Sequence, residues 1–115
     1  MKIITVPHPT LRIEAEPVKK VNKKLTRFVT ELKKTLKNTS NPQGVGLAAP
    51  QVNKPLRIFS TMLDEAGLEL KPQIYINPKI TKHSLDQILG LSKADKKSRD
   101  EGCLSIPGLY GPVPR

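Results

Sequence analysis

The sequence has no tryptophan, and two tyrosines with two phenylalanines make aromatic residues only 3% of its 115 positions. A core must therefore be aliphatic, and the stacking platforms that hold unpaired bases are poorly supplied. Cys103 is the sole cysteine, so no intrachain disulfide can form, and a reducing cytoplasm is the expected compartment. No apolar run approaches the roughly 20 residues of a membrane span. The opening MKIITVPHPTLRIEAEP has no apolar signal-peptide core and is broken by prolines. Acid is scarce as well: 10 acidic against 20 basic side chains give a formal charge of +10. That excess suits an RNA or membrane-surface partner, or simply lysines on solvated faces. The lysines fall in scattered pairs, such as Lys19-Lys20, Lys23-Lys24, Lys33-Lys34 and Lys96-Lys97, with few aromatics between them. The pattern favours solvated faces.

Proline is plentiful: eleven residues argue against an all-helical bundle and for loops and extended segments. The length allows one domain, burying roughly 65% of its unfolded surface. Residues 1–18 read as extended structure with turns. Asn22 is placed to cap a helix running to about Lys37, because Leu25, Phe28, Val29, Leu32 and Leu36 make one apolar stripe of helical period. Asn38 to Gln43 is turn-rich. Residues 56–60 and 73–77 read as strands joined by a hairpin connection, the second closed by Pro78. Residues 81–100 are polar and lysine-rich, with Leu85, Ile88, Leu89 and Leu91 suggesting a short helical turn. Order resumes at Glu101 to Ile106, and the prolines at 107, 112 and 114 then forbid a regular helix.

The run Gly44-Val45-Gly46-Leu47-Ala48-Ala49-Pro50-Gln51 stands apart. It is too small-sided and Gly-rich for a core strand or a helix interior. Its glycines let the backbone come close to a ligand, and Gln51 adds a neutral side chain with both a donor and an acceptor. Such a segment suits a backbone lying against another extended chain while one amide reaches a reacting group.

Cys103 lies in Glu101-Gly102-Cys103-Leu104-Ser105. Taken alone it reads as a buried inert thiol. A thiolate nucleophile needs a base, and the only histidines are His8, in the turn Pro7-His8-Pro9, and His83, in the polar stretch. Both read as surface residues, and the three have no zinc-motif spacing.

GVGLAAPQ followed by EGCLS resembles the peptide deformylases. Val6-Pro7-His8-Pro9-Thr10-Leu11-Arg12, Pro17-Val18 with the helix after it, Leu56-Arg57-Ile58 and Ile76-Asn77-Pro78 extend the resemblance over nearly the whole chain. An acidic residue is more usual in that family at the position of His8. The resemblance implies an α+β fold, with an N-terminal helix packed on antiparallel strands. It also implies metal-dependent removal of the N-formyl group from the initiator methionine of nascent chains. The metal is expected to be iron(II), with zinc, nickel or cobalt as substitutes. By the same resemblance Cys103 is a metal ligand, Gln51 and the backbone N–H of Leu104 donate to the developing oxyanion, Val45 and Gly46 bind the substrate backbone, and Gly44 borders the methionine pocket.

The chemistry asks for these residue types. A metal lowers the pKa of bound water toward about 7, three protein ligands leave a position open for that water, and thiolate is a soft donor. A neutral glutamine donates without competing for the metal. The family's third motif, H-E-x-x-H on a C-terminal helix, occurs nowhere in these residues. The expectation is therefore a single incomplete deformylase domain over 1–115, inactive as it stands, with 81–100 an insertion or long loop. Partners would be N-formylmethionyl nascent peptides and the ribosome surface, with no membrane and no specific DNA. The alternatives are a site completed in trans by another polypeptide, and a basic remnant that binds ribosomal RNA.

Overall fold

The computed structural model describes residues 1–40, 43–63, 71–86 and 101–113. The chain forms two compact units, Met1–Pro78 and Lys79–Arg115.

In the first unit the apolar stripe becomes helix α1, Lys23–Lys37. Asn22 caps it: its Oδ1 accepts the Leu25 N–H at 2.9 Å, satisfying one of the N–H groups that a helix start leaves unpaired. Lys34 and Lys37 occupy the last turn, where the helix dipole favours cations. Leu25, Leu32 and Leu36 are buried, and Phe28 and Val29 half-buried. Leu32 and Leu36 are wholly removed from solvent, and each contributes roughly 1.5–3 kcal/mol by burial.

α1 packs on a three-stranded antiparallel sheet in the order β1-β2-β3: Gly46–Ala48, Ile58–Thr61 and Gln73–Ile76. Leu47 pairs with Ser60, Ser60 with Ile74, and Ile58 with Ile76, so strand alternation puts these side chains on one face. Leu47, Ile58 and Ser60 are buried there, and the Ser60 hydroxyl donates to the Gln73 carbonyl at 2.8 Å. On the opposite face Phe59 pairs with Tyr75 and their rings stack with centroids 4.6 Å apart. One α-helix against antiparallel strands is the α+β class that the sequence led us to expect.

The first predicted strand is displaced. β2 begins at Ile58, because Leu56 and Arg57 are taken up by the N-terminal arm: Glu16 N–H donates to the Pro55 carbonyl and Arg57 N–H to the Glu16 carbonyl, both at 2.8 Å. β3 stops at Ile76, because Asn77 adopts φ 51°. In that left-handed conformation the Asn77 side chain accepts the Val18 N–H at 2.7 Å and donates to the Val18 carbonyl at 2.9 Å, tying the arm to the end of the sheet.

The second unit contains a hairpin, β4 (Glu101–Cys103) and β5 (Ile106–Gly111), turning through Leu104 and Ser105. Its register shifts between Gly102 and Cys103, and Pro107, Gly108 and Leu109 lie in the irregularity. Gly108 takes φ 79°, a conformation few side chains tolerate. The predicted helical turn falls mainly outside the described residues; Leu85, within them, is 95% exposed. The expected connection through 64–70 also lies outside them. Among the described residues no helix is long and apolar enough to cross a membrane.

Candidate functional site

The Gly-rich run is delivered by a hydroxyl bridge. Thr39, just past the end of α1, donates through its Oγ1 to the Leu36 carbonyl at 2.7 Å and accepts the Gly44 N–H at 2.7 Å. Gly44 is buried by this anchor, while Val45 is 63% exposed. The run then forms β1, the edge strand of its sheet. This corrects the sequence reading in one respect: Leu47, only 2% exposed, belongs to the core. The small residues on either side of it keep the rest of the run out of the core.

The ladder fixes which backbone groups face outward. The Met62 N–H donates to the Val45 carbonyl at 2.8 Å. Antiparallel bonds alternate along the strand, so Leu47 bonds toward Ser60, while the N–H and C=O groups of Gly46 and Ala48 turn to the outer edge. The bond from Asn77 N–H to the Arg57 carbonyl, at 2.8 Å, sets the complementary phase on the other side of β2. Gly46 therefore presents both backbone groups at the edge, and the carbonyl of Val45 is already committed to Met62.

Gln51 sits at the end of this edge. A turn of 3-10 helix, Ala49–Val52, reverses the chain, and Asn53 closes it in the left-handed conformation with φ 61°. The Gln51 Oε1 accepts the Ala48 N–H at 2.9 Å. An N–H cannot accept, so this bond identifies the contacting end of the carboxamide as oxygen and the other end, Nε2, as a donor. The backbone carbonyl of Gln51 accepts the Ile4 N–H at 2.8 Å. The half-buried residue is thus held through both its side chain and its backbone.

In the second unit Cys103 ends β4 and is exposed, which corrects the reading of it as a buried thiol. Leu104 and Ser105 make the turn, Leu104 half-buried and Ser105 buried at 3% exposure. The ring of Tyr110 lies where a side chain on Gly102 would stand: a Cβ there would come within 2.7 Å of Tyr110 Cδ1. Glycine at that position lets the ring rest on the backbone beside Cys103.

The structure brings Gly44, Val45, Gly46 and Gln51 together within the first unit, and Cys103 and Leu104 within the second. His8 is half-buried and structural: its Nδ1 accepts the Thr10 N–H at 3.2 Å and caps the 3-10 helix Pro9–Arg12. Its reading as a surface residue is thereby corrected. His83 is exposed as expected, with Nδ1 donating to the Ser84 carbonyl at 3.1 Å. Sequence reasoning missed Thr39 and Ala48, which position the run. The Thr-Ser-Asn cluster before it was the only local sign of such an anchor.

The model of the polypeptide deformylase family matches residues 1–115. The chain belongs to the polypeptide deformylase family. The peptide deformylase of Syntrophomonas wolfei is 38% identical over 114 residues, covering 99% of this chain and 63% of the relative. That of Brucella suis is 35% identical over 114 residues, with 98% and 58% covered. Among solved structures, a probable peptide deformylase from Synechococcus phage S-SSM7 superposes with a TM-score of 0.80 at 30% identity, covering 99% of this chain and 69% of that one. The Plasmodium falciparum peptide deformylase gives 0.79 at 36% identity, with 99% and 60% covered. The chain therefore spans rather more than half the length of the curated relatives it matches.

Deformylases are metalloenzymes, and the donors here meet that requirement only in part. Cys103 offers a soft, exposed sulfur. Among the described residues no group of three or more His, Cys, Asp or Glu side chains is placed to hold a metal ion. These residues do not make up a complete metal site.

Proposed function

We propose that this chain supplies the substrate-holding and oxyanion-stabilising part of a metal-dependent deformylase acting on N-formylmethionyl peptides in the cytoplasm, at the ribosome surface. The observation that carries the reading is the carboxamide of Gln51, bonded to Ala48 at the end of a strand that is the sheet edge among the described residues. A peptide adding to that edge would exchange backbone hydrogen bonds with Gly46, flanked by Val45, as in strand addition. Gly44 would border the pocket for the methionine side chain. Water adds to the formyl carbon, the C–N bond breaks with a proton passing to the amine, and formate leaves. The charge that develops on the formyl oxygen would be met by Gln51 Nε2 and the backbone N–H of Leu104. A preorganised donor of this kind is worth on the order of 3 kcal/mol in the transition state. Cys103 would be one ligand of the metal, iron(II) being the expected ion. The remaining ligands would come from an H-E-x-x-H segment, in the same polypeptide or in trans.

Formate release from formyl-Met-Ala-Ser tests this. The 115-residue chain should be inactive with added iron(II), zinc or nickel. Fusing to Arg115 the segment that follows the matching position in the Syntrophomonas wolfei enzyme should create turnover. Gln51→Ala in that fusion should lower kcat by about 100- to 1,000-fold. Turnover by the unfused chain would overturn the half-site reading, and an undiminished Gln51→Ala fusion would remove Gln51 from the mechanism.

A further inference from the structure

One concave feature of the first unit is lined by no residue of the Gly-rich run. It is a cavity of about 590 Å³ between the N-terminal arm, the first turns of α1 and the segment before β2. Its apolar lining includes Val18, Leu25, Phe28 and Leu56, while Lys19, Lys20, Lys24 and Lys54 also border it. Leu25 is buried, Phe28, Val18 and Leu56 are half-buried, and all four lysines are exposed. Glu16 is the only acidic side chain in the lining. No ion pair joins the four lysines to another described residue.

The walls are built rather than loose. The arm is fixed at Glu16 by two backbone bonds to the Pro55–Arg57 segment and at Val18 by both ends of the Asn77 amide. The facing wall is a capped helix. Nor does the charge serve the helix: its first turn holds Lys23 and Lys24 and no acid, where the dipole favours the opposite sign. The volume falls in the usual range for ligand sites, roughly 300–1,000 Å³.

We propose that this cleft docks a short acidic peptide segment carrying a large apolar side chain, contributed by a partner protein. Four ammonium groups against the single carboxylate of Glu16 favour a ligand of negative charge, and the apolar lining selects a side chain to fill it. A peptide meets both demands, with carboxylates on the rim and a leucine or phenylalanine inside. RNA meets only the first. Phe28, the one aromatic in the lining, is half-buried and packed as part of the α1 stripe, so the cleft offers no open platform for a base.

The test uses fluorescence anisotropy with labelled acetyl-Asp-Glu-Leu-Phe-Asp-Glu-amide. Saturable one-to-one binding is expected, weakened about tenfold or more when Ser-Ser replaces Leu-Phe, and weakened at higher salt because the rim pairs are exposed. Lys20→Glu with Lys24→Glu should abolish binding. Lys34→Glu with Lys37→Glu, an equal change of charge outside the cleft, should change it less than about twofold. Equal loss from both pairs would show diffuse electrostatics and overturn the site. Absence of peptide binding, or an oligouridine that binds more tightly and is unaffected by Leu56→Ser, would overturn the peptide assignment.

Discussion

The side-chain oxygen of Gln51 accepts the backbone N–H of Ala48, three residues before it, at 2.9 Å. The bond separates two properties of one side chain. Its acceptor end stabilises the turn, and its donor end is what chemistry would use. Gln51→Glu keeps an acceptor for Ala48 and loses the donor. In an active fusion it should leave the melting temperature nearly unchanged and lower kcat by about 100-fold or more. Gln51→Leu removes both ends and should cost about 1 kcal/mol of stability as well. Thermal unfolding alongside formate release separates the two effects.

Asn77 supplies a second separable pair. Asn77→Ala loses two hydrogen bonds to Val18 and leaves a Cβ-bearing residue at φ 51°. Together these should cost about 2–3 kcal/mol. Asn77→Gly loses the same bonds without the strain and should be roughly 0.5–1 kcal/mol less destabilised. Urea unfolding of the two variants checks the difference, and equal losses would rule out strain at this position.

The α1 stripe should be graded by burial. Leu32→Ala empties a site with no solvent exposure and should cost about 2–5 kcal/mol. Val29→Ala, at a half-buried position, should cost clearly less. Asn22→Ala, which removes the cap, should cost about 1 kcal/mol. Circular dichroism in denaturant ranks all three.

Tyr110 and Gly102 can be tested without activity. With the ring lying on the glycine, the Gly102 Hα resonances should be shifted upfield, and Tyr110→Leu should return them to ordinary values. Gly102→Ala should displace the ring and cost the hairpin about 1 kcal/mol. Proton NMR is well suited, since Tyr75 is the only other tyrosine.

What could be read from the sequence was what is local. The cap at Asn22 and the 3.6-residue stripe lie within a few residues of one another, so α1 was placed with its bounds. Gln51 was found through its motif, but the bond to Ala48 was not, because it depends on the 3-10 turn at Ala49–Val52. β1 escaped as a strand because its signal is a partner about a dozen residues away, not its own side chains. The same holds for Asn77. In Ile76-Asn77-Pro78 it looks like a strand end, and only the arm 59 residues earlier reveals what its amide holds. His8 was misread because a histidine between prolines looks like a solvated turn until its ring nitrogen is seen to cap one.

The outer edge at Gly46 is short. β1 has three residues, bounded by the bend at Val45 and by the turn that begins at Ala49. Three residues of strand measure roughly 10 Å. The edge therefore works as a ruler. A guest chain added there, as proposed, would pair with β1 through its backbone over that short span. On the proposed reading, pairing with β1 would depend on the few guest residues inside that span and not on those beyond it.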